Sequence, residues 1–189
     1  MESDRLRTLV TRLGPFRSFN DLSPSDLFNN HTDAQRVARY ILSEVDEHED
    51  ELVMDGWLNH EHALLSYGAA AAHRLWQMNF KGVNIEWWRT RQERFKRDFP
   101  GAENKRPAWS TNPEVIYSHR SHLMRSMDKR YIGKWARPVS PDCPILWPKL
   151  DRTTGSYELF VSEREAASDK LKLPDHLVMN PETRKVTKA

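Results

Sequence analysis

Between Trp57 and Met78, the residues Leu58, His62, Leu65, Ala69, Ala72 and Trp76 recur every three or four positions. That spacing places them on one face of a helix. Inside the same stretch, Gly68 to Ala72 reads Gly-Ala-Ala-Ala-Ala, so a neighbouring helix can approach its backbone closely. A segment this long, apolar on one face and small in its middle, is predicted to be the central helix around which the others pack.

The flanking segments repeat the pattern. Leu6, Leu9, Val10 and Leu13 predict a short first helix that Gly14-Pro15 stops. Ser23-Pro24 is placed to start a brief helix ending near Asn29-Asn30, and Asp33 is placed to open a further one along Val37, Tyr40, Ile41 and Val45. After Lys81-Gly82, the stretch NIEWWRTRQERFKRDF predicts a basic amphipathic helix capped by Asn84 and stopped at Pro100-Gly101. The following PGAENKRPAWSTNP is long enough for a functional loop. A helix beginning near Pro113 would then carry Val115, Ile116, His119, Leu123, Ser126 and Met127 on one face. Past Pro138 the prolines crowd, and the charged stretch from Asp151 to Ala189 offers YELFV as one short strand or helix. No series of sheet-forming segments is evident. The expected fold class is therefore all-α, a single helical bundle with a C-terminal extension that is partly mobile.

Composition adds constraints on partners. The formal net charge is only +2, but it is unevenly spread. From Glu86 to Arg137 there are thirteen Lys or Arg against six Asp or Glu, whereas Glu44 to Asp55 holds seven acidic residues and no Lys or Arg. Such segregation can give a positive face that attracts a phosphate backbone, or it can be two unrelated solvated segments. Cys143 is the only cysteine, which excludes an internal disulfide and fits a reducing cytoplasm. Met1 to Gly14 lacks a signal-type apolar core and no apolar run is long enough to span a bilayer. The expectation is a soluble cytoplasmic protein with no membrane partner.

Signatures for a phosphate loop, a paired-cysteine zinc site or a nucleophile elbow are absent. In NHEH, His60 and His62 would diverge by about 200° on a regular helix, which argues against a shared metal. His119 and His122 lie three apart and project to similar sides. They are either a pair of acid/base or phosphate-binding imidazoles, or two hydrogen-bonded histidines beside a core leucine. Arg120 and Arg125 flank them, and Lys129, Arg130 and Lys134 extend the charge, with Tyr131 and Trp135 able to stack on bases or to anchor the segment. The available acid/base candidates are His31, Asp33, Glu61, His119 and His122.

The ordered set AQRVARYIL (Ala34–Leu42), Trp57 with Glu61, Leu64, Tyr67 and Gly68, HRSHLMR (His119–Arg125), Tyr131 and LWP (Leu146–Pro148) resembles the pyrimidine-dimer DNA glycosylase, or endonuclease V, superfamily. The likeness is closer to its small bacterial and phage branch, over about residues 16 to 148. It implies a helical domain that binds duplex DNA and flips a nucleotide out of the stack, with Gln35, Arg36 and Arg39 joining Arg120, Arg125, Lys129, Arg130 and Lys134 on the DNA side. Characterised members use a processed N-terminal amine as nucleophile. Here fifteen residues precede the matching Phe16, and Ala38 stands where the family has its catalytic glutamate. The resemblance thus implies DNA binding without the family's standard chemistry, and a Lys amine is one replacement for the terminal one.

The expected organisation is an N-terminal extension over 1–15, a glycosylase-like domain over 16–148 and a charged extension over 149–189. The expected role is a monomeric protein of DNA repair or base processing, with double-stranded DNA as partner and no cofactor or metal. Its catalytic candidates are Glu61, His119, His122 and His31. The alternatives are a DNA-binding module without chemistry and an enzyme acting on another modified base.

Overall fold

The computed structural model describes residues 24–44, 57–125, 139–151 and 153–189. The chain divides into two compact units, residues 1–107 and 108–189. The described part of the first is helical: α1 (Pro24–Ile41), α2 (Glu61–Gln77) and α3 (Ile85–Asp98). The second opens with a short 3-10 turn (Ala108–Thr111) and α4 (Pro113–Arg125), then adds β1 (Leu146–Leu150), β2 (Tyr157–Val161), α5 (Glu163–Ala166), β3 (Leu177–Met179) and β4 (Lys185–Lys188). The all-α expectation is therefore corrected: the protein is mixed, with an antiparallel sheet of order β1-β2-β4-β3. The strands are three to five residues long, too short for an alternation that stands out against helical spacing.

In the first unit α2 packs against both α1 and α3, the central position its stripe predicts. Gly68 explains the closeness. A Cβ built there would lie 2.1 Å from the Trp88 ring of α3, and Trp88 is fully buried. The indole Nε1 donates to His31 Nε2 of α1 at 2.8 Å, so one side chain ties all three helices together.

Helix α1 runs unbroken where the sequence suggested a stop at Asn29-Asn30 and a restart near Asp33. Asn30 and Thr32 bond back to the carbonyls of Asp26 and Phe28, four residues earlier. Their side chains thus join the helical ladder instead of competing with it. Leu27, Ala34 and Val37 supply the apolar face.

The helix ends follow local chemistry. In α1 the Glu44 N–H bonds the Arg39 carbonyl and the Ser43 N–H bonds that of Tyr40, with Ser43 at φ 55°. This is a Schellman closure with serine in the place glycine usually takes. The end of α2 repeats it: Phe80 N–H to Leu75, Asn79 N–H to Trp76, Asn79 at φ 56°. Asn84 caps α3 through Trp87 N–H at 2.9 Å, as the sequence predicts. Asn112 caps α4 through Glu114 N–H, with Pro113 at the first helical position.

The second unit's sheet is two hairpins with matching turns. Asp151 and Asn180 each accept, through the side chain, from the N–H groups two and three residues on. Each carbonyl accepts from the residue four on, Gly155 or Arg184, which sits at φ 67° or 59°. The inner strands β2 and β4 pair, setting Leu159 opposite Val186. Leu146, Val161, Leu177 and Val186 form the apolar cluster. Residues 149–189, expected as a charged and partly mobile extension, thus carry β2, β3 and β4, with β2 pairing along β1.

Candidate functional site

Each unit holds one polar constellation. In the second unit it lies on α4. Ser118 Oγ accepts from Leu146 N–H at 3.0 Å, His119 Nε2 donates to the Leu146 carbonyl at 3.3 Å, and Ser121 Oγ donates to the Cys143 carbonyl at 2.9 Å. Arg125 donates to the carbonyls of Pro141 and Cys143 and pairs with Glu165 at 2.7 Å. The other Glu165 oxygen accepts from Ile145 N–H at 3.0 Å. The segment 141–148 is proline-rich and β1 lies at the sheet edge, where some backbone groups have no strand partner. Helix α4 satisfies them with side chains. The HRSHLMR motif is in this respect a clasp: His119, Ser118 and Ser121 are buried, and the His119 ring packs edge-on to Trp147 at 5.4 Å.

Arg120 and His122 are partly buried on the same helix, and Lys129, Arg130 and Lys134 lie outside the described residues. The single thiol belongs to this region too. Burial pushes the Cys143 thiol up to about 12, so it stays protonated and unreactive.

In the first unit, His31 and Asp33 are buried in the helical core. Burial pushes the His31 imidazole down to about 4, so near neutrality it is an uncharged acceptor for the Trp88 indole. That is a structural role, and no proton donor or acceptor for a substrate is needed to explain it. Gln35 and Arg36 are partly buried and Arg39 is exposed on α1. Ala38 is 1% exposed, so it faces the interior.

Glu61 has a different setting. It begins α2 and lines a pocket of about 740 Å³, with walls from the end of α1, the start of α2, the second half of α3 and the loop after it. The Glu61 carboxylate accepts from Asn59 N–H at 3.0 Å, and Asn59 at φ 65° turns the chain into the helix. His60 is the residue before the helix and has non-helical dihedrals, φ −128° and ψ 27°. The predicted divergence of His60 and His62 therefore does not arise. His60 Nδ1 lies 2.8 Å from the Lys105 carbonyl and His62 Nδ1 lies 3.3 Å from that of Ala102, so both rings hold the same loop.

A carbonyl only accepts. Each Nδ1 therefore carries the hydrogen, and in the neutral ring Nε2 keeps its lone pair. On the same lining, Arg91 forms a two-point pair with Glu44 at 2.8–3.2 Å and stacks 3.9 Å from the Trp87 ring centroid. The Schellman turn that ends α1 places Glu44 for this pair. Phe95 and Phe99 pack with centroids 4.9 Å apart and their planes tilted by 35°; Phe95 is buried, while Phe99 is 58% exposed at the pocket wall.

The basic helix α3 is more balanced than its composition suggests. Arg89 pairs with Glu86, and Arg94 and Arg97 both reach Asp98. These three arginines remain exposed, at 63%, 69% and 74%, so a phosphate could replace their partners at little cost.

Sequence reasoning singled out Glu61 and the loop after α3 but not Glu44, Arg91, Phe95 or Phe99, which only the helix packing brings to one pocket. Among the described residues, no group of three or more His, Cys, Asp or Glu could hold a metal ion, and no helix is long and apolar enough to cross a membrane. No protein-family model, no curated protein and no solved structure matches the chain.

Proposed function

We propose that this protein binds duplex DNA and acts in repair or base processing, with the pocket of the first unit receiving one nucleotide drawn out of the stack. The observation that carries the reading is the pocket itself: four carboxylates (Glu44, Glu61, Asp98 and Glu103), two imidazoles, an aromatic wall and the cations Arg91, Arg94 and Lys105 meet in about 740 Å³, with Glu44 and Asp98 paired to Arg91 and Arg94. A single nucleotide offers the complementary parts, a flat base for Phe99 and a phosphate for Arg94 or Lys105. Glu61 is the acid/base candidate among these groups, within a wall that also holds His60 and His62. The exposed arginines of α3 supply sequence-independent attraction to the backbone.

The second reading, a DNA-binding module without chemistry, is favoured by Ala38, whose burial leaves no room for a carboxylate at that position of α1. Fluorescence anisotropy with a labelled duplex, intact or carrying an abasic site, separates the readings when combined with borohydride trapping. Binding with a trapped adduct supports lyase-type processing, and binding without an adduct supports the module. Affinity weaker than about 10⁻⁴ M for every duplex at low salt, the upper limit of ordinary non-specific binding, overturns both.

A further inference from the structure

The two histidines at the start of α2 give the pocket a preference that its residue types alone do not show. His60 and His62 both commit Nδ1–H to loop carbonyls, at 2.8 and 3.3 Å, and neither ring has another hydrogen bond among the described residues. What each neutral ring has left for a ligand is the Nε2 lone pair. Glu61 behaves similarly: Oε1 accepts from Asn59 N–H, and Oε2 remains as a further acceptor. His60, Glu61 and His62 therefore offer a ligand acceptors only; the Asn59 side-chain amide, on the same lining, is the one group beside them that can also donate. The loop carbonyls hold the imidazoles in that tautomer before any ligand arrives, so the preference is preorganised.

Beside the acceptors stands the aromatic wall. Phe95 lies 5.9 Å from the His62 ring and packs at a tilt of 35° against Phe99, which keeps 58% of its surface exposed. An exposed phenylalanine supported from behind by a buried one is a stacking platform for a flat ring. The cations Arg94 and Lys105 are on the same lining, Lys105 being the residue whose carbonyl holds His60, and they suit an anionic group on the same ligand.

We propose that the pocket is a subsite for a nucleobase bearing an exocyclic amino group, stacked on Phe99 and donating its amino hydrogens to His60 or His62 Nε2 and to Glu61. Adenine and cytosine have that group; their deaminated counterparts, hypoxanthine and uracil, present a carbonyl in its place and would set acceptor against acceptor. A site that matches a donor rejects the analogue lacking it, because its own acceptors are then desolvated without a partner. The inference rests on the nucleotide reading of the pocket, but it does not require duplex binding.

The test uses the full chain and free mononucleotides, titrated by isothermal calorimetry. Adenosine 5′-monophosphate should bind on the order of tenfold more tightly than inosine 5′-monophosphate, and cytidine 5′-monophosphate should lead uridine 5′-monophosphate by a similar ratio. Phe99→Ala, at an exposed position, should weaken all four, whereas Glu61→Gln should narrow the amino-to-keto ratio, since an amide offers a donor as well. Equal affinity within each pair, no detectable binding of any of the four at millimolar concentration, or an unaltered ratio in Glu61→Gln would overturn the inference. Duplex binding without mononucleotide selectivity would remove this inference and leave the DNA reading standing. Selective mononucleotide binding without duplex binding would do the reverse.

Discussion

Replacing Gly68 by alanine adds one methyl group where the packing of the first unit leaves no space. The new Cβ would fall 2.1, 2.2 and 2.4 Å from three carbons of the Trp88 ring, whereas real Cβ atoms essentially never come within 3.0 Å of a neighbour. The indole would have to retreat by about 0.9 Å to reach even that limit, and it is fully buried. Overpacking of this kind costs about 1–3 kcal/mol. The retreat also stretches the 2.8 Å bond from Trp88 Nε1 to His31 Nε2, and two buried groups left unsatisfied cost about 1–3 kcal/mol. Alanine returns about 1 kcal/mol through its better helix propensity. The net expectation is a loss of about 2–4 kcal/mol, read as a lower urea midpoint by circular dichroism and tryptophan fluorescence. Trp88→Leu is the control, because it removes the ring atoms that the methyl would meet. In that background Gly68→Ala should cost little or become stabilising. Gly68→Ala within about 0.5 kcal/mol of the parent, a shift typical of neutral surface changes, would disprove a tight fit at this position.

Acidification should weaken the first unit through His31. The folded imidazole titrates at about 4 against 6.5 unfolded. For a base whose folded value is lowered, the full stability is present above pH 6.5 and is lost as pH falls through this window, by about 3 kcal/mol at most; His31→Gln should flatten the slope of urea midpoint against pH there. In the second unit, Arg125→Gln removes the ion pair with Glu165, which is 11% exposed, and one charged donor from each of the Pro141 and Cys143 carbonyls. A loss of about 2–4 kcal/mol is expected, with faster amide exchange at Ile145 and Leu146. Ala38→Glu would bury a carboxylate at a position 1% exposed and should cost about 3 kcal/mol or more without creating a glycosylase activity, as thermal melts and a dimer-excision assay would check.

The helical part of the fold is legible because its signals are long and redundant. The α2 helix, the Gly68 gap and the Asn84 cap are all present, but the buried face of α2 is Leu64, Leu65, Gly68, Ala71, Ala72 and Leu75, and of the predicted stripe only Leu65 and Ala72 are buried while Trp76 is 60% exposed. The sheet was hidden for the opposite reason. LWPKL contains a proline, and LVM and KVTK are too short to show a period. Their real signatures are the turns, Asp-Arg-Thr-Thr-Gly-Ser and Asn-Pro-Glu-Thr-Arg-Lys, whose capping aspartate and asparagine could have announced two hairpins. In α1 the polar run Asn-Asn-His-Thr-Asp resembles a break, yet back-bonding and the Trp88 indole absorb Asn30, Thr32 and His31.

The candidate site divides in the same way. Glu61 was visible as an acid near the start of a helix. The tautomers of His60 and His62 depend on carbonyls at least forty residues away and were not. The motif HRSHLMR left the direction of its polar groups open: His119, Ser121 and Arg125, with Ser118 just before them, bond the backbone of 141–146. Spacing gives the face of a helix and leaves open what that face meets.

Binding to duplex DNA through the first unit has its sharpest test in the salt dependence of that binding. Anisotropy titrations of a labelled duplex between low and moderate salt should give a linear fall in log affinity with log salt concentration. Replacing Arg89, Arg94 and Arg97 together by alanine, all exposed residues of α3, should weaken binding to every sequence and lower the slope by about one for each phosphate no longer neutralised. A triple variant that binds with the affinity and slope of the parent, or a parent that does not bind duplex at low salt, would contradict the DNA reading.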